Sequence, residues 1–438
     1  MPEIRPFRAL RYDPAAIGDL GRVVSPPYDV IGAALRRDLI ERHPQNIVQV
    51  DLPVEERGDE PDDRYRRAAR IYAGWRADGT LHRDPRPSLY LYEQTYVVPG
   101  TDVERTQRGF FGRLRLEPFG PGAGVLPHER TLSGPKEDRY KLMRATGANL
   151  SPVISLFQDA AQRASELLAA AASGTPDADV VDDDGVRHRL WVLTEDGPHA
   201  STVAELISIA GSRPVTIADG HHRYETAIRY RDERRRTNTN EADPAYDWIL
   251  MLFLGASEPL TVLPTHRLVR DLEDEGRGLI ADIARLFDVE PMANGAALAA
   301  TFERAALEPG GRGRVGLWTR SGGAILTARR DAFAGIVTEG AEAVRRLDVT
   351  LVRAAIEACC GIDAAATAAG RLAYTKSAAE AVAMVDARSD GADAALLLEP
   401  TPVGEIIAVA SQGDVMPQKS TYFYPKALSG LLINPLEW

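Results

Sequence analysis

The stretch Pro214-Val215-Thr216-Ile217-Ala218-Asp219-Gly220-His221-His222-Arg223-Tyr224-Glu225-Thr226-Ala227 decides the fold of this chain. Residues 215–218 are apolar or β-branched and predict a short buried strand, and a helix is predicted from about His222 to Arg236. Gly220 stands between the two elements, where glycine permits a turn that other residues avoid. The sequence therefore predicts a strand–loop–helix junction, a unit typical of mixed α/β folds.

The rest of the chain also alternates between short strands and helices. Residues 89–98 predict a strand that runs into a turn at Pro99-Gly100, and residues 105–114 predict its hairpin partner. We therefore expect a mixed α/β fold. We divide it into an N-terminal α/β region (1–160), a core that holds the junction (161–270) and a C-terminal α/β region (271–438). The last region is expected to return to the junction through residues 416–426.

Composition excludes several classes of function. The 438 residues carry a formal net charge of -11, which gives no general attraction to nucleic acid or to anionic lipid. No apolar run approaches the roughly 20 residues that span a bilayer. The two cysteines, Cys359 and Cys360, are adjacent, which favours a reducing cytoplasm over a disulfide framework. We expect a cytoplasmic protein without membrane or nucleic-acid partners; formation of a homo-oligomer stays open.

The junction has the chemistry of an anion site. The first backbone N–H groups of a helix have no partner within the helix, and the helix dipole adds positive potential there. We expect Gly220, His221, His222 and Arg223 to contact a phosphate group. Asp219 fits better as a general base or as a ligand of a phosphate-bound magnesium ion. The alternative is that Asp219 caps the helix and both histidines lie on the surface.

Two further polar segments offer matching groups. In the segment 128–139, Glu129 is a candidate acceptor for a hydroxyl proton and Lys136 a candidate for neutralising phosphate charge. The segment 416–426 combines lysines, hydroxyl groups and aromatic rings, which suits an anionic ligand with an organic part. Its candidate residues are Lys419, Ser420, Tyr422 and Lys426. The alternatives are a capped loop that leads into a helix for the first segment and a solvated basic loop for the second.

Two short turns supply the remaining candidates. Ser25-Pro26-Pro27-Tyr28-Asp29 is a rigid turn that would place Tyr28 or Asp29 at the edge of a substrate pocket. Pro264-Thr265-His266-Arg267 ends a predicted strand and would supply His266 and Arg267 as phosphate ligands. Each turn could equally be purely structural. The chain has no GxxxxGK[ST] loop, no GxGxxG after a strand and no GxSxG turn, so the common nucleotide-binding and hydrolase templates are absent.

Six blocks in order resemble the bacterial and archaeal family catalogued as domain of unknown function 1015. They are Ser25-Pro26-Pro27-Tyr28-Asp29-Val30-Ile31, residues 46–52, Ala145-Thr146-Gly147-Ala148-Asn149-Leu150-Ser151-Pro152, residues 218–227, Leu263-Pro264-Thr265-His266-Arg267 and residues 416–426. The resemblance extends over essentially the whole chain.

The block Asp219-Gly220-His221-His222-Arg223 is also similar to the Asp-Gly-His-Thr-Arg loop of free serine kinases with the ParB/sulfiredoxin fold. This resemblance implies a ParB/sulfiredoxin-like phosphate-binding core with additional mixed α/β subdomains. It implies that the donor phosphate is bound by Gly220, His221, His222 and Arg223, and that Asp219 is a catalytic carboxylate. Relatives are associated with pyrophosphate-dependent serine phosphorylation. The chain departs from the kinase loop at His222, where those enzymes carry threonine.

Three functions are compatible with these residues. The first is a small-molecule kinase that phosphorylates a hydroxyl, with free L-serine as the leading acceptor and pyrophosphate or a nucleotide as donor. Asp219, His221 or Glu129 would act in catalysis, and magnesium would accompany the donor. The second is a non-catalytic, ParB-like nucleotide- or phosphate-binding regulator. The third is a phosphatase or phosphodiesterase. The kinase hypothesis predicts that Lys136, Arg223 and Lys419 surround one cleft with Asp219 inside it.

Overall fold

A computed structural model of the protein describes residues 1–131, 133–237, 242–307 and 313–437. Its larger sheet has nine strands, and most neighbours in it are antiparallel. Across the sheet the strands are Val125–Leu126, Val215–Asp219, Val153–Phe157, Trp248–Gly255, Glu104–Arg115, Ser88–Val97, Arg187–Thr194 and Ala178–Val181, and Ile4–Arg5 pairs with Glu104–Arg115. The strand Val153–Phe157 is parallel to Trp248–Gly255, and Val125–Leu126 is parallel to Val215–Asp219.

Both faces of this sheet are covered. Side chains alternate between the two faces of a strand. Leu89 and Leu91 pack into one hydrophobic cluster, whereas Tyr90 and Tyr92 pack into another. A strand that is buried on both faces is apolar along its whole length, as Trp248–Gly255 is. The longer helices of this half of the chain are Ala33–Arg42, Asp63–Ala77, Ser133–Thr146, Arg163–Ala171, Ala200–Ala210 and His221–Thr237.

A second sheet of six antiparallel strands follows along the chain. Its strands in order are Phe287–Met292, Gly322–Ala328, Arg314–Thr319, Ala392–Leu398, His266–Arg270 and Leu372–Thr375. Its longer helices are Gly295–Arg304, Asp348–Cys360, Ala378–Asp386 and Val403–Ser411. Leu268 packs with Ala378 and its neighbours, and Val269 packs with Val352 and its neighbours, so helices cover both faces here as well.

The end of the chain returns to the first half of the molecule. The strand Tyr422–Tyr424 pairs with Thr261–Leu263, and Asn434–Pro435 pairs with Ala148–Asn149. Ile433 bridges to Leu10 near the N-terminus. These pairings join residues far apart in sequence and bring the segment 416–426 to the end of the strand Val215–Asp219.

The predicted mixed α/β class is confirmed. The predicted hairpin is present as Ser88–Val97 and Glu104–Arg115, and the junction is present as Val215–Asp219 followed by the helix His221–Thr237. The large sheet takes strands from both of the first two predicted regions, and the boundaries near 160 and 270 stay predictions. Among the described residues, no helix has the length and apolar character needed to cross a membrane.

Candidate functional site

The junction between strand and helix is tight and depends on glycine. The ladder between Val215–Asp219 and Val153–Phe157 shifts register between Ile217 and Asp219, an irregularity that re-aims the end of a strand. Gly220 has φ +91°, and a Cβ atom there would lie 2.9 Å from Nε of Arg223. The sequence folds this way because only glycine combines that backbone angle with room for the arginine. The N-terminus of the helix His221–Thr237 therefore begins directly beside Asp219.

Asp219 is held by two cations. Its Oδ2 accepts a hydrogen bond from Nη2 of Arg223 at 3.0 Å and lies 3.5 Å from Nζ of Lys426. Burial would raise the pKa of Asp219, but Lys426 and Arg223 outweigh it and hold the pKa well below its usual range. Asp219 is therefore an ionised anchor rather than a strong base. Arg223 is buried and also donates to the carbonyl of Pro152, so its guanidinium serves the loop itself.

The two histidines are not surface groups that flank a helix cap, which was the structural alternative for this block. His221 is buried, and its Nε2 accepts the backbone N–H of His128 at 3.1 Å. Its proton is therefore on Nδ1, and burial lowers its pKa well below the usual value. His222 is half-buried. Burial lowers the pKa of His222, Glu225 opposes the shift, and Lys136 and Lys419 add to it.

His128 joins three segments of the site, and the sequence did not single it out. Its Nδ1 donates to the carbonyl of Ile217 at 2.5 Å, and its Nε2 lies 3.0 Å from Oγ1 of Thr421. The ring is completely buried, and burial lowers its pKa to about 4, so it is neutral at pH 7. The only hint in the sequence is its position beside Glu129.

Glu129 stands next to the returning C-terminal segment. Its Oε1 accepts the backbone N–H of Lys419 at 3.1 Å. Burial raises its pKa, although the Lys419 N–H and charge oppose the shift. Lys136 lies in the same region, but its ammonium pairs with Oε2 of Glu225 at 2.8 Å. The charge of Lys136 is therefore largely neutralised before any phosphate binds.

The C-terminal segment contributes lysines and an aromatic ring. Lys419 has φ +56°, a left-handed backbone conformation uncommon outside glycine. The ammonium of Lys426 lies 4.2 Å from the ring centre of Tyr422, whose pKa burial raises. Ser420 donates its hydroxyl to the carbonyl of Pro417 and is buried. That hydroxyl stabilises the turn and is not directed to a ligand, a difference from the expected phosphate contact.

The strand His266–Arg270 separates the two residues predicted there. His266 is completely buried and its Nδ1 accepts the backbone N–H of Leu398, which fixes the ring in the second sheet. Because the ring is completely buried, it is not available to a phosphate in this arrangement, and it faces the opposite side of the strand from Arg267. Arg267 is buried and donates from Nη2 to the carbonyl of Lys419 at 3.4 Å. It therefore borders the candidate site.

Tyr28 and Asp29 also lie near Arg223. The Tyr28 ring packs 3.9 Å from the guanidinium of Arg139, which pairs with buried Asp51 at 3.3 Å. Burial raises the pKa of Tyr28 to about 12, and Arg223 opposes the shift. The charge of Asp29 raises the pKa of both Tyr28 and Arg223, so Asp29 lies close to both side chains. The pair of Arg139 and Asp51 was not predicted, because no local pattern marks a buried ion pair.

The structure thus brings most predicted residues to one region. The pKa of His222 is lowered by the charges of Lys136, Arg223 and Lys419. The pKa of Glu129 is raised by the charge of Asp219. The residues in this region are Asp219, Gly220, His221, His222, Arg223, Glu129, Lys136, Lys419, Tyr422 and Lys426, with Arg267, Tyr28 and Asp29 beside it. Their chemical roles stay predictions.

The residues present do not fit a resident metal ion. Among the described parts of the chain, no group of three or more histidine, cysteine or acidic side chains has the geometry to hold one. Asp219, the predicted metal ligand, shares one oxygen between two cations. Magnesium is commonly bound by one or two carboxylates together with substrate phosphates. We therefore expect any magnesium to enter with the phosphate donor.

Comparison with known proteins gives a family but no activity. No protein of curated function matches the chain. Among solved structures, a free serine kinase mutant in complex with ADP is similar over 68% of this chain and 84% of that chain, with 12% identity and a TM-score of 0.33. SbnI with a C-terminal truncation, from Staphylococcus aureus, is similar over 72% of this chain and 84% of that chain, with 10% identity and a TM-score of 0.36.

A conserved hypothetical protein from Pyrococcus furiosus is similar over 68% of this chain and 87% of that chain, with 12% identity and a TM-score of 0.32. The family model described as "Protein of unknown function (DUF1015)" matches residues 4–350, and the chain belongs to that family.

Proposed function

We propose that this chain is a small-molecule kinase that transfers a phosphoryl group to a hydroxyl, with free L-serine as acceptor and pyrophosphate or a nucleotide as donor. One observation carries the proposal. Glu129, a half-buried carboxylate with a raised pKa, binds the backbone N–H of Lys419 at 3.1 Å beside the Asp219–Arg223 loop. A base beside an anion-binding loop is the minimum that phosphoryl transfer requires, since the protein mainly positions and neutralises the reactants.

Each group has a role in the proposed reaction. The N-terminus of the helix His221–Thr237 and the ammonium of Lys426 bind the donor phosphate. Glu129 accepts the proton of the serine hydroxyl while the hydroxyl oxygen attacks the phosphorus of the donor. The bond from phosphorus to the leaving phosphate breaks, and lysine ammonium groups offset the charge that leaves. Asp219 and Arg223 keep the loop in place, because each is already bound to the other.

The best alternative is a phosphate- or nucleotide-binding protein without turnover. It is favoured by the pairing of Lys136 with Glu225 and of Arg223 with Asp219, which leaves fewer cations for transition-state charge. Such a protein would bind a donor without consuming it. A phosphatase or phosphodiesterase using the same anion site would release phosphate to water.

The test is a phosphoserine assay with L-serine and magnesium that compares ATP, ADP and pyrophosphate. We expect one donor to give phosphoserine in wild type and Glu129→Gln to lower the rate at least about 100-fold, a loss typical for a general base. Glu41→Gln, in an exposed position on the helix Ala33–Arg42, is the matched control. Phosphate release that does not need serine would indicate a hydrolase. Donor binding without either product would indicate the binding protein.

A further inference from the structure

Lysine is rare in this chain, and its positions are not random. Of the 52 lysine and arginine residues, only five are lysines. Four of them, Lys136, Lys376, Lys419 and Lys426, lie at or beside the candidate site. Arginine supplies nearly all other cations, including those on exposed helices. Lysine differs from arginine in carrying a compact point charge. Because four of the five lysines lie in this region, we infer that the region uses the compact charge of lysine, which arginine does not provide.

Lys376 is the lysine that neither sequence pattern nor family resemblance marked. It follows the edge strand Leu372–Thr375 of the second sheet. Its ammonium lies 4.0 Å from the ring centre of Tyr422, and that of Lys426 lies 4.2 Å from the same ring. Two separate parts of the chain thus place like charges against one aromatic ring. Burial and the charge of Lys426 both lower the pKa of Lys376, in keeping with that closeness.

Asp184, Asp29 and Glu380 raise the pKa of Lys376, but among the described residues none of them lies within ion-pair distance of its ammonium. Lys426 has Asp219 at 3.5 Å. Within the described residues, neither Lys376 nor Lys419 has a carboxylate at ion-pair distance, and the same holds for buried Arg267. Lys376 and Lys419 are exposed, so a ligand can reach them. Two ammonium groups held on one ring, with Asp219 as their one carboxylate at ion-pair distance among the described residues, favour binding of an anion with more than one negative charge.

We propose that Lys376 and Lys426, on the ring of Tyr422, form an anion subsite beyond Asp219 that holds the second phosphate of a donor with at least two phosphoryl groups. The loop at Gly220 then holds the phosphate that is transferred. This subsite rests on the proposed function only for the identification of its ligand as the donor. It requires both sheets, because Lys376 comes from the second and the loop from the first.

The test is calorimetric binding of pyrophosphate and of orthophosphate to the full chain, without serine so that no transfer occurs. We expect wild type to bind pyrophosphate more tightly than orthophosphate. Lys376→Gln should weaken pyrophosphate binding by roughly tenfold and leave orthophosphate binding unchanged, as expected for one lost charge-assisted contact. Lys141→Gln is the matched control, since this fifth lysine pairs with Asp62 at 2.7 Å on the helix Ser133–Thr146.

The outcomes separate this proposal from the kinase proposal. Equal pyrophosphate affinity in Lys376→Gln and wild type, or no pyrophosphate binding to wild type, would overturn the subsite whether or not phosphoserine is formed. Selective loss in Lys376→Gln, in a chain that makes no phosphoserine with any donor, would support the subsite and reject the kinase. If Lys376→Gln lost the same affinity for pyrophosphate and for orthophosphate, the subsite would also be overturned, because Lys376 would then affect the loop as a whole.

Discussion

Replacing Gly220 by alanine tests the geometry of the loop most directly. The backbone angle, φ +91°, is unfavourable for any residue with a side chain and costs roughly 1–2 kcal/mol. The added Cβ would lie 2.9 Å from Nε and 3.1 Å from Nη2 of Arg223. This guanidinium is buried between Asp219 and the Pro152 carbonyl, so it has little room to move.

The steric term is the larger one. Displacing Arg223 weakens a hydrogen bond to a charged group, worth roughly 1.5–3 kcal/mol. Together with the backbone strain we expect Gly220→Ala to destabilise the protein by about 2.5–5 kcal/mol. At about 2–4 °C per kcal/mol for a folding unit of 150–250 residues, this corresponds to about 5–20 °C in melting temperature. Phosphate binding should be lost as well, since the first turn of the helix moves with Arg223.

The assay is thermal unfolding with and without phosphate, and Gly122→Ala is the control. Gly122 also has a positive φ, +78°, but a Cβ there would meet nothing within 4 Å. Gly122→Ala should therefore lower the free energy of unfolding only by the roughly 1–2 kcal/mol that comes from backbone strain. If Gly220→Ala melted within a degree or two of Gly122→Ala and still bound phosphate, the packing of Arg223 against the loop would not be what fixes it.

Two further predictions concern the buried charges around the loop. Asp51→Asn should destabilise the protein by about 2–4 kcal/mol in urea unfolding, because it leaves buried Arg139 with only Asp138; a loss below about 1 kcal/mol would contradict this. Protonation of His128 should contribute a loss of roughly 3 kcal/mol of stability from pH 6.5 to pH 4, because the unfolded chain protonates it in that range while burial keeps its folded pKa at about 4. Other buried histidines such as His221 add to the slope, so His128→Gln should remove only this part of it, and an unchanged slope would reject the assignment.

Local patterns were sufficient for the strand and the helix of the junction and for the long hairpin beside it. The run 215–218 was predicted as a strand because β-branched and apolar residues stand between turn residues, and the structure has Val215–Asp219. The helix predicted from about His222 to Arg236 extends over His221–Thr237. The order of strands could not be read in the same way. It depends on pairings such as Trp248–Gly255 with Glu104–Arg115, which join segments far apart in the chain.

The site was predictable as a set of polar blocks but not as a set of contacts. His266 and Arg267 were predicted together, yet adjacent residues of a strand face opposite sides, and only Arg267 borders the site. Lys136 was predicted as a free cation, but its partner Glu225 lies on a different helix. Whether a charge is paired is a property of tertiary structure, and composition alone does not reveal it.

The C-terminal lysines are positioned mainly through their backbones, which explains how the fold keeps their charges available. The N–H of Lys419 binds Glu129, and its carbonyl accepts from Arg267. The carbonyl of Lys426 accepts a hydrogen bond from Gln94 at 3.0 Å. Backbone groups thus supply the rigidity that a carboxylate partner would otherwise give. A site built in this way can hold Lys419 in place without a carboxylate at ion-pair distance, whereas Lys426 still has Asp219, and an anionic ligand then supplies the missing charge.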